Sequence, residues 1–536
     1  MAIVLALLAQ ALVFQNGKVW TGESEVPTLA CDAGRVVATP RSPAQVIDLR
    51  GRRALPGFHD SHAHVLSAGL LLSRVSLKDA PDLAELGRRL TSFDQKLPPG
   101  AWMVGGRWDH ERALGGKLPD AALIDRFVKD RPVFLVRYDG HMAVANSKAL
   151  RLAGIDAATK DPSGGSVDRV SGSREPTGIL RDTATELVAV KIPPPGEREI
   201  GDALAAALAQ AAREGVTALE DLEDDNQPAT WARVVRRYHQ LEREGKLTAR
   251  VDVWRPIQKR ASLAELGIAA GFGSALLRLG TVKGYLDGSL GSSTAKMFSA
   301  YLNDPTTGLF VTEPAEMRKN VIEADAAGLQ IGVHAIGDRA NAELLDVFEA
   351  ATRSNGPRDR RFRVEHAQHL RAEDIPRFRQ LGVVASMQPY HIVDDGRWAE
   401  KRVRAGVLEH SYALRELLDA GAVLAFGSDW PVAPLSPLLG IDAAVHRRTL
   451  DGKHPEGWFP RQRITPKEAV RGYTWGGAYA SFRDADEGAL TPGKLCDVVV
   501  LTRDVLAGEA EPAVAMTVLG GRVVFDSAEG ANPGQR

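Results

Sequence analysis

The stretch Ala315–Asp338, AEMRKNVIEADAAGLQIGVHAIGD, carries two structural periods back to back. Its first half spaces apolar residues as an amphipathic helix does and closes on Gly328. Its second half is a short apolar run that ends on His334. The same unit recurs along the chain. Strand-like runs begin at Gly215 (GVTALED), Ala249 (ARVDVWRPI), Leu277 (LRLGTVKGYLDG), Arg361 (RFRVEHAQ), Gly382 (GVVASMQPYH) and Ala422 (AVLAFGSDWP). Helix-like stretches such as IGDALAAALAQAAREG and SYALRELLDAG lie between them. With ALPGFHDSHAH (from Ala54) as the first, the strands number eight, the count of a parallel (β/α)8 TIM-like barrel. An open doubly wound sheet would show the same alternation. No GxGxxG follows the early strands, so a dinucleotide site on such a sheet has no support.

The two ends of the chain resemble each other more than they resemble the middle. ALVFQNGKVW (Ala11–Trp20) and MTVLGGRVVF (Met516–Phe525) both read strand, Gly-containing turn, strand. The expected layout is a small β-sandwich domain made from residues 12–54 and 486–530, with the barrel occupying 55–485. More than 100 residues separate the first strand from GVTALED, far beyond one helix. That interval holds WMVGGRWDH, RPVFLVRYDGHMAV and the Gly/Ser/Pro-rich DPSGGSVDRVSGSREPTG. It reads as an insertion at about 85–200, placed to act as a lid or a substrate-pocket subdomain.

The 536 residues carry a net charge of −1 with no block of like charges, so neither a nucleic-acid footprint nor a polybasic membrane surface is indicated. The apolar MAIVLALLAQA (residues 1–11) has two readings. It is an export leader lacking the usual basic n-region, or an extension of the first β-strand. The location is accordingly cytoplasmic or exported. No later run approaches the ~20 apolar residues of a membrane span. Cys31 and Cys496 are too few for a disulfide framework and read as two small buried residues; export would open the way to a bridge between them.

In a barrel of this type, chemistry gathers at the C-terminal ends of the strands. ALPGFHDSHAHV places His59, His62 and His64 within six positions. Chance alone supplies roughly 0.3 HxH pairs in a chain with this histidine content, so partners elsewhere decide its meaning. Those partners exist: TVKG carries Lys283, GVHA carries His334, VEHA carries His366 and GSDW carries Asp429. His62 and His64 share one side of a strand and can meet one ion. His59, at odd offset, should face the helical shell, and Asp60 should point inward below the ion. Singly, each of these residues has a plain structural reading: a surface lysine, a core histidine, a helix N-cap. Together, in register on five strand ends, they are a metal-site pattern.

On LPGFHDSHAH, RPVFLVRYDGHMAVANSKAL, VKGYLDGSLGSSTA, HAIGDRAN, RVEHAQ, QPYH, GSDWPV and LTPGKLCDVVVL, the chain resembles the metal-dependent amidohydrolase superfamily. The resemblance is to its amidohydrolase-3, YtcJ-like branch, which includes N-substituted formamide deformylases. It implies a site for one or two divalent ions, with Zn²⁺ favoured by the donor types. His62 and His64 would hold one ion with Asp429, and His334 and His366 a second. Lys283 would bridge them as an N-carboxylysine. It further implies that metal coordination brings the pKa of water from about 15.7 towards 7. Asp429 would then move the proton to the leaving nitrogen.

Pocket residues are expected at Trp108, Asp109, His141, Asn146 and His391, with a packing anchor as the alternative for Trp108. Asp287 reads equally as a support to the site or a turn former. The expected reaction is hydrolysis of a C–N bond in an N-acyl, N-formyl or cyclic-amide small molecule. Deamination or ester hydrolysis at a single-ion site is the alternative on the same fold, and a non-catalytic assembly barrel the alternative of another class. A homodimer is the base-rate expectation.

Overall fold

The computed structural model describes residues 11–41, 43–137, 142–162, 165–222, 228–291, 293–303 and 305–530. In the opening stretch, the helix Pro314–Ala326 begins with proline at its first turn, where the missing N–H costs nothing. Gly328 follows at φ +76°, a conformation that glycine adopts without strain, and turns the chain into the strand Gln330–Ala335. Repetition of this unit yields eight parallel strands: Phe58–Ala63, Val216–Asp221, Arg250–Pro256, Leu277–Tyr285, Gln330–Ala335, Arg363–His366, Val384–Met387 and Val423–Phe426. They pair in chain order.

The eighth strand returns to the first, so the sheet is a nearly closed barrel and not an open one. Its seam is a parallel bridge between Ala63 and Trp430, with His64 N–H donating to the Trp430 carbonyl at 2.8 Å and Asp429 N–H to that of His62 at 2.6 Å. Gly427 permits this approach: a Cβ there would lie 2.5 Å from the His62 nitrogen. Register then sets the level of the functional side chains. Tyr285 lies opposite His334, His334 opposite Glu365, and Ala335 opposite His366.

Both chain ends contribute strands to one six-stranded sheet. In it Arg53–Pro56 pairs antiparallel with Val498–Leu501 and parallel with Lys18–Trp20. A four-stranded sheet comprises Ala11–Gln15, Leu29–Asp32, Arg35–Val37 and Ala44–Asp48. Residues of both sheets, among them Phe14, Val36, Ile47, Val498 and Val518, share one apolar cluster. Cys31 and Cys496 are joined by a disulfide. The buried Arg53 pairs with the buried Asp504 and with the exposed Glu25, linking the two ends, and Arg250 of the third barrel strand pairs with Asp497.

The described residues fall into two compact units: the segment 66–207 with 227–234, and the remainder of the chain. The former is the long interval after the first barrel strand. It has its own mixed six-stranded sheet, from Gly165–Arg169 at one edge to Val75–Ser76 at the other. Its core includes Leu90, Met103, Trp108, Val133 and Leu135. Among the described residues no helix is long and apolar enough to cross a membrane.

Candidate active site

His62 lies on the first barrel strand and His64 just beyond it. Lys283, His334 and His366 lie on the fourth, fifth and sixth strands, and Asp429 follows the eighth. All six line one cavity of about 360 Å³. A larger cavity of about 690 Å³ lies in the insertion, but its walls, including Phe93, Trp102 and Ile192, hold no imidazole. The smaller one is therefore the candidate metal site.

Asp429 is the hub. Its Oδ1 is 3.2 Å from His64 Nε2 and 3.6 Å from His62 Nε2, and its Oδ2 is 4.0 Å from His391 Nε2. Lys283 Nζ is 3.3 Å from His62 Nε2 and sits over the Tyr285 ring. Donor atoms of His62, His366 and Asp429 all lie within 4.8 Å of one another, close enough to share an ion. His366 Nδ1 is buried without a hydrogen-bond partner among the described residues, a costly arrangement that a bound cation would relieve. His366 and Asp429 have φ of +76° and +58°, which side-chain-bearing residues rarely adopt and which cluster at functional positions.

The electrostatics suit ligand duty. Burial, then the charge of Lys283, holds His62 well below the usual imidazole range. The same two causes bring His334 down to about 4. Burial and the neighbouring imidazoles lower His366. Burial opposes ionisation of Asp429, yet the hydrogen bond from His64 and the surrounding histidines keep it well below the carboxylate range. Burial thus favours the neutral form of His62, His334 and His366 beside an anionic carboxylate.

The sequence profile of the amidohydrolase family matches residues 45–525. The chain belongs to the amidohydrolase family. Protein LONG AFTER FAR-RED 3 of Arabidopsis thaliana is 37% identical over 536 residues, covering 96% of this chain and 91% of that protein. N-substituted formamide deformylase of Arthrobacter pascens is 27% identical over 514 residues, covering 92% and 90%. The crystal structure of an uncharacterized metal-dependent hydrolase from Pyrococcus furiosus matches with a TM-score of 0.76 at 29% identity, covering 92% of this chain and all of that one. The protein is therefore a hydrolase of a metal-dependent superfamily.

Other expected residues of this amidohydrolase divide sharply. His391, on the helix Tyr390–Asp395, lines the cavity, and its buried Nε2 lacks a hydrogen-bond partner among the described residues. Asn146 does not have the free polar group expected of a substrate contact. Its side chain caps the helix Ser147–Ala153, accepts from Ala149 and Val133 N–H, and donates to the Val128 and Arg131 carbonyls. Trp108 is likewise committed to the insertion, buried with its indole N–H on the Leu135 carbonyl at 2.8 Å. Asp109 follows directly, half-buried. His141 lies outside the described residues.

Closer to the cavity, His59 turns away, packing against Gly477 with its Nε2 on Glu220 at 3.2 Å. Asp60 Oδ1 accepts from the N–H groups of His62 and Ser428, tying the first strand to the segment after the eighth; burial raises its pKa to about 6. Asp287 accepts from the N–H groups of Lys296, Ile336 and Gly337, and so fixes the loop after the fifth strand. Sequence reasoning missed Glu365, whose carboxylate holds His62 Nδ1 at 2.6 Å. The available signal was the run Arg363-Val364-Glu365, with charges at the inward parity of a barrel strand.

Proposed function

We propose that this amidohydrolase cleaves a C–N bond outside ordinary peptides, in an N-formyl, N-acyl or cyclic-amide small molecule. The observation that carries the reading is the convergence of His62, His64, Lys283, His334, His366 and Asp429 on one cavity. The imidazole and carboxylate donors, with the orphaned His366 Nδ1, fit a divalent ion such as Zn²⁺. When bound, such an ion acidifies water and polarises the scissile carbonyl.

In this reading His62, His64 and Asp429 would hold one ion, and His334 and His366 would hold a second. Lys283, carboxylated by carbon dioxide on Nζ, would offer two oxygens between them. Asp429 accepts the proton of the attacking water and passes it to the departing nitrogen, so that water adds across the bond to give an acid and an amine. His391, which lines the cavity, would donate to the oxygen that gains charge as the carbonyl carbon becomes tetrahedral. Similarity to N-substituted formamide deformylase supports the bond class. The two sheets of the chain ends, which share one apolar cluster, are read as a β-sandwich domain.

A single-ion site is a second reading, favoured by the grouping of His62, His366 and Asp429 around one point. Zn²⁺ reconstitution of metal-free protein with bicarbonate present separates the two readings by stoichiometry, two ions per chain or one. The deciding experiment pairs metal analysis with a panel of N-formyl amines, N-acyl amino acids, cyclic amides and esters. Full amidase activity in folded His62→Ala and Asp429→Asn would reject the proposal.

A further inference from the structure

Below the cavity the barrel interior departs from the branched apolar layers usual for this fold. Glu220 of the second strand, Trp254 of the third, Arg363 and Glu365 of the sixth and Ser386 of the seventh are all at most 1% exposed. Gly332 on the fifth strand makes room for them. A Cβ there would stand 2.4 Å from the Trp254 ring and 3.0 Å from Glu365 Oε1. The guanidinium of Arg363 is shared between two carboxylates, donating from Nε to Glu365 Oε1 at 2.8 Å and from a terminal nitrogen to Glu220. Its other terminal nitrogen donates to Ser386 Oγ and to the Ser61 carbonyl. Glu220 also accepts from the Trp254 indole and meets His59.

Every partner of Glu365 can be assigned. Oε1 takes Arg363. Oε2 takes the Ser386 hydroxyl at 2.8 Å and His62 Nδ1 at 2.6 Å. A carboxylate in this position keeps the His62 proton on Nδ1, so the lone pair is left on Nε2. Nε2 is the atom turned into the cavity, beside Lys283 Nζ and Asp429 Oδ1. Burying two carboxylates around one guanidinium is costly unless every charge is met, and a wholly apolar layer would fill the same space. What an apolar layer would not do is fix the ring and tautomer of His62.

We propose that Glu365, held by Arg363 and Ser386, is the positioning residue that presents His62 Nε2 to the metal ion. This rests on the reading of His62 as a metal ligand, and is independent of which bond is cleaved. The test is a titration of metal-free protein with Co²⁺ against a chromophoric chelator, with the visible spectrum of the bound ion as second readout. Glu365→Gln is expected to weaken Co²⁺ binding by about 10–100-fold and to shift the Co²⁺ bands, with circular dichroism unchanged. Ser386→Ala, which removes one of the hydrogen bonds steadying the carboxylate, is expected to weaken it less.

Wild-type affinity and spectrum in folded Glu365→Gln would overturn the inference. Should that variant fail to fold, unchanged Ser386→Ala would do so. Wild-type protein that takes up no Co²⁺ or Zn²⁺ would instead overturn the metal-site reading itself.

Discussion

The strand ends around Asp429 and the polar residues of the insertion are built from similar chemistry and are used in opposite ways. In the insertion, Asn146 makes four hydrogen bonds to backbone groups and Trp108 gives its only donor to a carbonyl. At the strand ends, His366 Nδ1 and His391 Nε2 are buried with no hydrogen-bond partner among the described residues. A buried polar group left unmet costs about 1–3 kcal/mol, and inside a cavity lined by imidazoles a bound cation or substrate can supply the missing partner. Residue type marks both regions as candidates for function; at these four residues the two regions differ in whether the polar atoms are met.

If this contrast is right, substitutions at the two places must fail differently. Asp429→Asn is expected to lower kcat by about 10³-fold while leaving the thermal midpoint close to wild type, measured on whichever amide the substrate panel selects. A variant that melted early but turned over normally would reverse the assignment. Chelation should remove activity with far-UV circular dichroism retained, since strand-to-strand bonds hold the barrel, and Zn²⁺ should restore it. Asn146→Ala should do the reverse. It removes a helix cap and leaves two N–H groups and two carbonyls unmet, costing about 2–3 kcal/mol in a urea melt, with metal content unchanged.

Asp504 extends the contrast to the chain ends. Burial pushes its pKa up, but hydrogen bonds from Arg53 and Lys18 prevail and bring it down to about 2. A carboxylate whose pKa is depressed by folding contributes stability above its unfolded value, near 4, and loses it as pH falls towards 2. Comparing acid unfolding of Asp504→Asn with wild type should therefore show about 2 kcal/mol less stability for the variant at neutral pH, a gap that closes between pH 4 and pH 2. A gap that widened on acidification would mean that Asp504 is not held by Arg53.

The barrel was legible because each unit advertises itself locally: a helical period, a glycine, a short apolar run. The six metal-site candidates were legible for the same reason, each standing at the end of such a run. Glu365 was not. Its parity points it inward, but its contact with His62 depends on register accumulated across strands distant in the chain, which no local pattern records. The Cys31–Cys496 bridge, between residues 465 positions apart, was legible only as something export would permit, beside the plainer reading of two small buried residues. Asn146 is a different case. Asn146-Ser147-Lys148-Ala149 is a fair N-cap signal, outweighed by the attraction of a polar residue in the same short stretch as His141.

Trp108 gives the smallest effect and the finest test of the contrast. Its indole combines a ring in the insertion core with one N–H on the Leu135 carbonyl. Trp108→Phe keeps most of the apolar ring and removes the donor, leaving a buried carbonyl one bond short. The expected cost is about 1 kcal/mol of stability, read from the urea midpoint at unchanged slope. Because the N–H is spent inside the insertion, KM and kcat should stay within about twofold of wild type. A tenfold rise in KM without loss of stability would place Trp108 at the substrate. It would also show that a satisfied hydrogen bond is not enough to mark a residue as scaffold.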